Sequence, residues 1–160
     1  MSKRPLLLHR ERAEGVDKRL LDFLDWWAQR GPFPLVVDPK GGVRYDERLQ
    51  LELFRKGASK AQHLEDTPHG RGGAIDCHPC ILGAAGQVIA LRDKDLEAYA
   101  TYGELGKARG LLWGGDWKRL VDCPHLEVPA WRNLPMPTSA KAAFNKEPPD
   151  ASQLKKGGKK

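Results

Sequence analysis

Apolar side chains recur along this chain at two periods, and the switches between them set the expected elements. Over residues 10–30, Val16, Leu20, Leu24 and Trp27 return at helical spacing, with Leu21 and Phe23 widening the stripe. Gly31-Pro32 then stops the helix. Residues 33–37 read as a short buried strand, and residues 38–42 as a turn rich in Pro and Gly. A second helix is predicted from near Asp46 to Gly57, with Leu49, Leu53 and Phe54 on its apolar face. Residues 58–72 are polar and irregular, a loop that delivers His69 to the strand expected over 73–77. Residues 79–91 read as loop or hairpin, with Gly83 and Gly86 as turn points.

Asp93 is placed to cap a third helix over 94–109, where Leu96, Tyr99, Gly103 and Gly106 share a side and Gly110 ends the helix. Short strands follow at 111–113 and 124–128, the latter carrying His125. The expected fold class is α+β: a small single domain with a central antiparallel sheet flanked by about three helices. That domain spans residues 1–134. Residues 135–160, rich in Pro, Ala, Lys and Gly, form a basic tail that is expected to be disordered.

Composition narrows the classes. A chain of 160 residues supports one hydrophobic core. No apolar run approaches the ~20 residues of a membrane span. The N-terminal apolar run, Leu6 to Leu8, falls far short of the ~7–15 residues of a signal-peptide core. The net charge of +6 is unevenly spread, because residues 138–160 hold six Lys against two acids. The near-neutral remainder does not suggest a nucleic-acid-binding body. Three Cys, an odd number, argue against a disulfide framework and for reduced thiols.

The candidate chemistry sits in two stretches. The first is Thr67-Pro68-His69-Gly70-Arg71-Gly72-Gly73-Ala74-Ile75-Asp76, and the second is Asp122-Cys123-Pro124-His125. A catalytic zinc ion keeps three protein ligands and one open position. His69 and Asp76 lie seven apart, a spacing that suits a loop entering a strand, with Gly72 and Gly73 free to turn the backbone. His125 would add the third ligand from another strand. Asp122, close by but not itself a ligand, is placed to take a proton from water activated at the metal. Arg44 and Arg71 are the candidates to stabilise a developing oxyanion. A different class uses the thiols: Cys77, Cys80, Cys123 and His125 could make a structural Cys₃His zinc site in a non-enzymatic binding module. Against it, Cys123-Pro124-His125 is cramped, and Cys77 directly follows Asp76, so in a strand it faces the other way.

The pattern His69-x-x-Gly72-x-Ala74-x-Asp76, followed by Asp122-x-Pro124-His125, resembles the zinc D-alanyl-D-alanine carboxypeptidase and L-alanyl-D-glutamate endopeptidase family, which includes phage endolysins. Residues 110–117 resemble the segment leading into the family's second motif, and Val43-Arg44 with Gln50, Leu53 and Gly57 resembles its upstream arginine segment. The resemblance covers roughly residues 34–128. It implies one Zn²⁺ per chain on His69, Asp76 and His125. It implies Asp122 as catalytic acid/base, and Arg44 as the arginine that meets the substrate carbonyl. Thr67, where relatives often carry Ser, joins Arg71, Trp113 and Asp116 as expected substrate-binding residues. Leu126 stands where an aromatic is common.

The implied substrate is the stem peptide of bacterial peptidoglycan, cut between L-Ala and D-Glu, with a D-Ala-D-Ala carboxypeptidase as the alternative. A wall-cleaving enzyme with no export signal is expected to be an endolysin, made in the host cytoplasm and released to the wall at lysis. A monomer with no nucleic-acid partner and no membrane insertion is expected.

Overall fold

The computed structural model describes residues 3–137. The basic tail expected over 135–160 therefore lies, from residue 138 on, outside the described residues. The elements are β1 (Leu7–Leu8), α1 (Lys18–Arg30), β2 (Leu35–Val37), α2 (Glu47–Arg55), β3 (Ala74–Leu82), β4 (Val88–Ala90), α3 (Glu97–Lys107), β5 (Leu112–Trp113) and β6 (His125–Glu127). Short 3₁₀ turns at Arg10–Ala13, Leu64–Asp66, Gly114–Asp116 and Trp131–Asn133 connect them. This is the expected small α+β domain with three helices.

Among the described residues six strands form one sheet in the order β1-β2-β3-β6-β5, with β4 also paired to β3. All pairings are antiparallel except β1 with β2. The parallel edge strand was not expected, because its two residues are too few to show a period. β3 is the hub, since it alone pairs with β2, β4 and β6. It runs on through Pro79 to Leu82, so residues 79–91, expected as loop or hairpin, are the β3–β4 hairpin. Gly83 N–H closes that hairpin on Gln87 O at 2.8 Å.

Two helix starts differ from expectation. Residues 10–13 form a 3₁₀ turn, and Gly15 takes a left-handed φ of 86° before α1 begins. Asp17 then caps α1 by accepting from Arg19 N–H. Asp93 accepts from Asp95 N–H at 3.0 Å instead of capping α3, which starts three residues later than predicted. Side chains such as Asp prefer such local turns when the chain offers one.

The core follows the apolar stripe of α1. Leu20, Phe23, Leu24 and Trp27 pack with Tyr102 of α3 and with Leu35, Val37, Ile75, Cys77 and Leu126 of the sheet. Trp27 Nε1–H donates to Phe33 O at 2.9 Å, so its one polar atom is satisfied inside the core. Strand alternation does the rest. Ile75, Cys77 and Leu126 point into the core, and their neighbours Asp76, His125 and Glu127 point to the opposite face.

α2 behaves differently. Its deepest residue is Gln50, while Phe54 is 39% exposed, so the helix does not bury the face its apolar residues mark. Gln50 Nε2 donates to Ser59 Oγ at 3.0 Å and Ala61 O at 2.6 Å, tying the helix to the loop that follows.

α3 seats on the sheet through its glycines. A Cβ at Gly103 would stand 2.1 Å from the Trp113 ring, which β5 contributes. Gly103→Ala should therefore destabilise the fold, because overpacking of about 1–3 kcal/mol exceeds the roughly 1 kcal/mol gain in helix propensity. Urea unfolding should show a lower midpoint with an unchanged slope.

Candidate metal and catalytic site

The β3–β6 pairing sets Asp76 directly opposite His125. His69 arrives on the loop before β3. That loop turns at Gly72, whose φ is 70°. Thr67 holds the turn, its Oγ1–H donating to Leu64 O at 2.8 Å while its oxygen accepts from Gly70 N–H at 2.9 Å. On the other side, residues 38–44 press against β3 at Asp76 itself. Asp76 N–H donates to Gly41 O at 2.8 Å, and Asp38 N–H to Asp76 O at 2.9 Å. The approach needs glycine: a Cβ on Gly41 would lie 2.4 Å from Asp76 O.

His69, Asp76 and His125 each offer one ligand atom within 4.8 Å of the others, and all three residues are buried. Asp76 Oδ1 stands 3.1 Å from His69 Nε2 and 3.1 Å from His125 Nδ1. The far nitrogen of each ring also meets an oxygen: His69 Nδ1 faces Gly42 O at 2.9 Å, and His125 Nε2 faces Glu127 Oε2 at 2.7 Å. A neutral imidazole carries one N–H, and here both nitrogens of both rings face acceptors. The arrangement is satisfied by two imidazolium ions, or by one cation shared between the rings and Asp76. Two imidazoles and one carboxylate are a donor set that suits a divalent transition metal such as zinc. Among the described residues this is the group of His, Cys, Asp and Glu that converges in this way.

Burial opposes charge on Asp76, yet the adjoining His69 and His125 hold its carboxyl well below the usual carboxylate range. Burial likewise opposes charge on His125, but its bonds to Asp76 and Glu127 outweigh this and push its pKa up to about 9. Asp122 sits on the turn before β6, its Oδ2 4.0 Å from His125 Nδ1, with 45% of its side chain exposed. Desolvation and the nearby Asp76 charge raise its pKa.

Arg44 reaches Asp76 Oδ2 with Nη2 at 2.9 Å and Lys40 O with Nε at 3.2 Å. It thus braces the carboxylate as well as lining the cleft in front of it. That cleft has a volume of about 810 Å³. It is lined by Leu53, Trp117 and Val121 together with His69, Asp122 and His125.

Thr67 lines the cleft, but three other expected substrate contacts do not. Arg71 is turned to the backbone, donating to Glu65 O at 2.7 Å and Leu134 O at 2.8 Å. Trp113 packs against α3, and its Nε1–H donates to Cys123 O at 2.8 Å, supporting the turn that presents Asp122. Asp116 pairs with Lys107 at 2.8 Å. The aromatic that faces the site is the next tryptophan, Trp117, whose ring centroid is 4.9 Å from that of His125. Motif position alone does not separate Trp113 from Trp117, since only the 3₁₀ turn between them decides which faces the cleft.

Glu127, absent from the expected site, lies two residues after His125 on the same strand face, a spacing that strand periodicity makes visible. The thiol alternative finds no geometry. Cys77 is in the core beside Tyr102, on the face opposite Asp76, and burial raises its pKa strongly. Burial also pushes Cys80 up to about 11. Burial thus disfavours the thiolate form at both positions, and among the described residues no cysteine joins the converging group of His69, Asp76 and His125.

Residues 61–128 match the family model described as D-alanyl-D-alanine carboxypeptidase. The peptidoglycan L-alanyl-D-glutamate endopeptidase CwlK of Bacillus subtilis (strain 168) is 31% identical over 90 residues, covering 49% of this chain. The chain spans about half, 53%, of that relative's length. In structure, the chain is similar to the Serratia marcescens L-Ala D-Glu endopeptidase ChiX, with a TM-score of 0.55 and 25% identity over 77% of this chain and 90% of that one.

A divalent metal must displace the His125 proton when it binds to the metal-free protein. Its affinity should therefore rise with pH through the neutral range and flatten above about 9. Calorimetric titration with zinc in two buffers of different ionisation enthalpy should show net proton release at neutral pH.

Proposed function

We propose that this chain is a member of the D-alanyl-D-alanine carboxypeptidase and L-alanyl-D-glutamate endopeptidase family, and a zinc peptidase that cuts the L-alanyl-D-glutamate bond of peptidoglycan stem peptides. The observation that carries this reading is the meeting of His69, Asp76 and His125 beside a cleft that His69 and His125 line, with the partly exposed carboxylate of Asp122 next to them. His69 Nε2, Asp76 Oδ1 and His125 Nδ1 would hold the ion. Zinc held there supplies Lewis-acid polarisation of the attacking water and the scissile carbonyl.

The protein residues divide the remaining work. Asp122 takes the proton of the attacking water and passes it to the leaving amine, a role that its exposed edge and raised pKa support. Arg44 has Nε and Nη2 engaged by Lys40 O and Asp76, so stabilisation of a substrate oxyanion falls to its Nη1. Thr67 acts through its turn, keeping His69 in place. Trp117 and Leu53 give the peptide two apolar walls and limit water at the reacting bond.

The choice of bond follows the two relatives named above, both L-alanyl-D-glutamate endopeptidases. The family model's own description supports a second reading, release of a terminal D-Ala. Product analysis on purified peptidoglycan separates them: new amino termini on D-Glu identify the endopeptidase, and free D-Ala the carboxypeptidase.

Wild-type protein added to cell-wall suspensions should clear them, as a lytic role requires. A chelator should stop clearing and zinc should restore it. Asp122→Ala should lower turnover by about 10²–10⁴-fold, and His69→Ala should abolish it. Full lysis by the Asp122→Ala protein would sink the mechanism. A Cys77→Ser/Cys80→Ser double variant should keep its zinc and its activity, whereas a structural thiol site would lose both.

A further inference from the structure

The outer partners of the two histidines are unequal. His69 turns its far nitrogen to a neutral backbone carbonyl, Gly42 O. His125 turns its far nitrogen to a carboxylate, Glu127 Oε2, at 2.7 Å. Glu127 is 8% exposed and sits mid-sheet, its backbone opposite Ala74 on one side and Leu112 on the other. Among the described residues no Lys or Arg forms an ion pair with it, and its charged partner is His125. A buried carboxylate with no cation is costly, so its presence here calls for a positive partner on the His125 side.

The rings are also used in opposite senses. His69 presents Nε2 to Asp76, and His125 presents Nδ1. A carbonyl at one end of a ring fixes its N–H there without adding charge. A carboxylate fixes the N–H and also increases the electron density at the opposite nitrogen, which makes it the better donor.

We propose that Glu127 is a positioning residue that commits His125 to metal binding through Nδ1 and strengthens that bond. The proposal rests on the metal-centre reading above. With Glu127 accepting from Nε2–H, the proton that a metal would displace is the one on Nδ1, the nitrogen that faces the space shared with His69 and Asp76. Without it, the His125 proton has no charged acceptor at Nε2, and either tautomer is open to the ring. The contribution acts through His125, so Glu127 need not touch substrate.

The test compares wild type, Glu127→Gln and Glu127→Ala as full-length chains. Zinc dissociation constants come from competition with a chromogenic chelator. Nitrogen-15 spectra of the zinc-loaded proteins report which nitrogen of His125 carries the proton. The expected result is zinc binding weaker by about 10–100-fold in the Ala variant. The Gln variant should fall between, because its amide oxygen still accepts from Nε2–H but carries no charge. Wild type should show His125 protonated at Nε2, and the Ala variant should lose that single form.

A folded Ala variant with wild-type zinc affinity and an unchanged Nε2–H signal overturns the proposal. If the Ala variant does not fold, the Gln variant decides: equal affinity overturns the proposal, and several-fold weaker binding supports it. A wild-type chain that takes up no zinc overturns the metal-centre reading itself. Normal wild-type binding with indifferent variants removes only the role of Glu127.

Discussion

Two imidazoles brought to one carboxylate oxygen are the constraint around which this fold is arranged. Each ring meets an acceptor at both nitrogens, so the cluster needs positive charge at its centre beyond what neutral side chains provide. The sheet meets half of that demand by pairing Asp76 with His125 across β3 and β6. The loops meet the other half. One carries His69 in from residues 64–72, and the other brings Gly42 O and Arg44 from residues 38–44. Moving either loop by an ångström would leave a buried polar atom without its partner, and in the structure no such atom is left unpaired among the described residues.

The division of labour between the two faces of the sheet follows from this. One face is filled by α1 and α3 with mainly apolar side chains, and Trp27 and Tyr102 donate their polar hydrogens there to backbone carbonyls. The other carries charge, and its cover is loop backbone instead of apolar helix. α2 belongs to that second face. It is attached through Gln50 and the loop at 59–61, and its Leu53 borders the cleft. Such an element has little hydrophobic anchoring, and low local stability suits the wall of a binding cleft.

Much of the fold was legible in the chain. The stripe of α1, the strand with Ile75, the hairpin glycines and the helix that stops just before Gly110 all show their periods or their breakers within a few residues. The illegible parts have identifiable reasons. β1 is two residues long and borrows its order from β2. α3 starts beyond Asp93 because an Asp turns on its own chain as readily as it caps a helix. The apolar face of α2 was visible, but periodicity says only that a face exists and not whether a core or a cleft lies opposite.

The candidate site shows the same boundary. His69, Asp76, Asp122 and His125 could be named from residue type, order and spacing, because donor chemistry is a property of the side chain and glycines mark where a loop must turn. Which atoms face one another was decided by tertiary structure alone. Strand register put Asp76 opposite His125, and strand alternation removed Cys77 to the core. One 3₁₀ turn exchanged Trp113 for Trp117 at the cleft, and close passage of the 38–44 loop set Arg44 on Asp76. Local sequence encodes what a side chain can do. The partner it does it with is set by contacts between segments tens of residues apart, and those exist only once the sheet has formed.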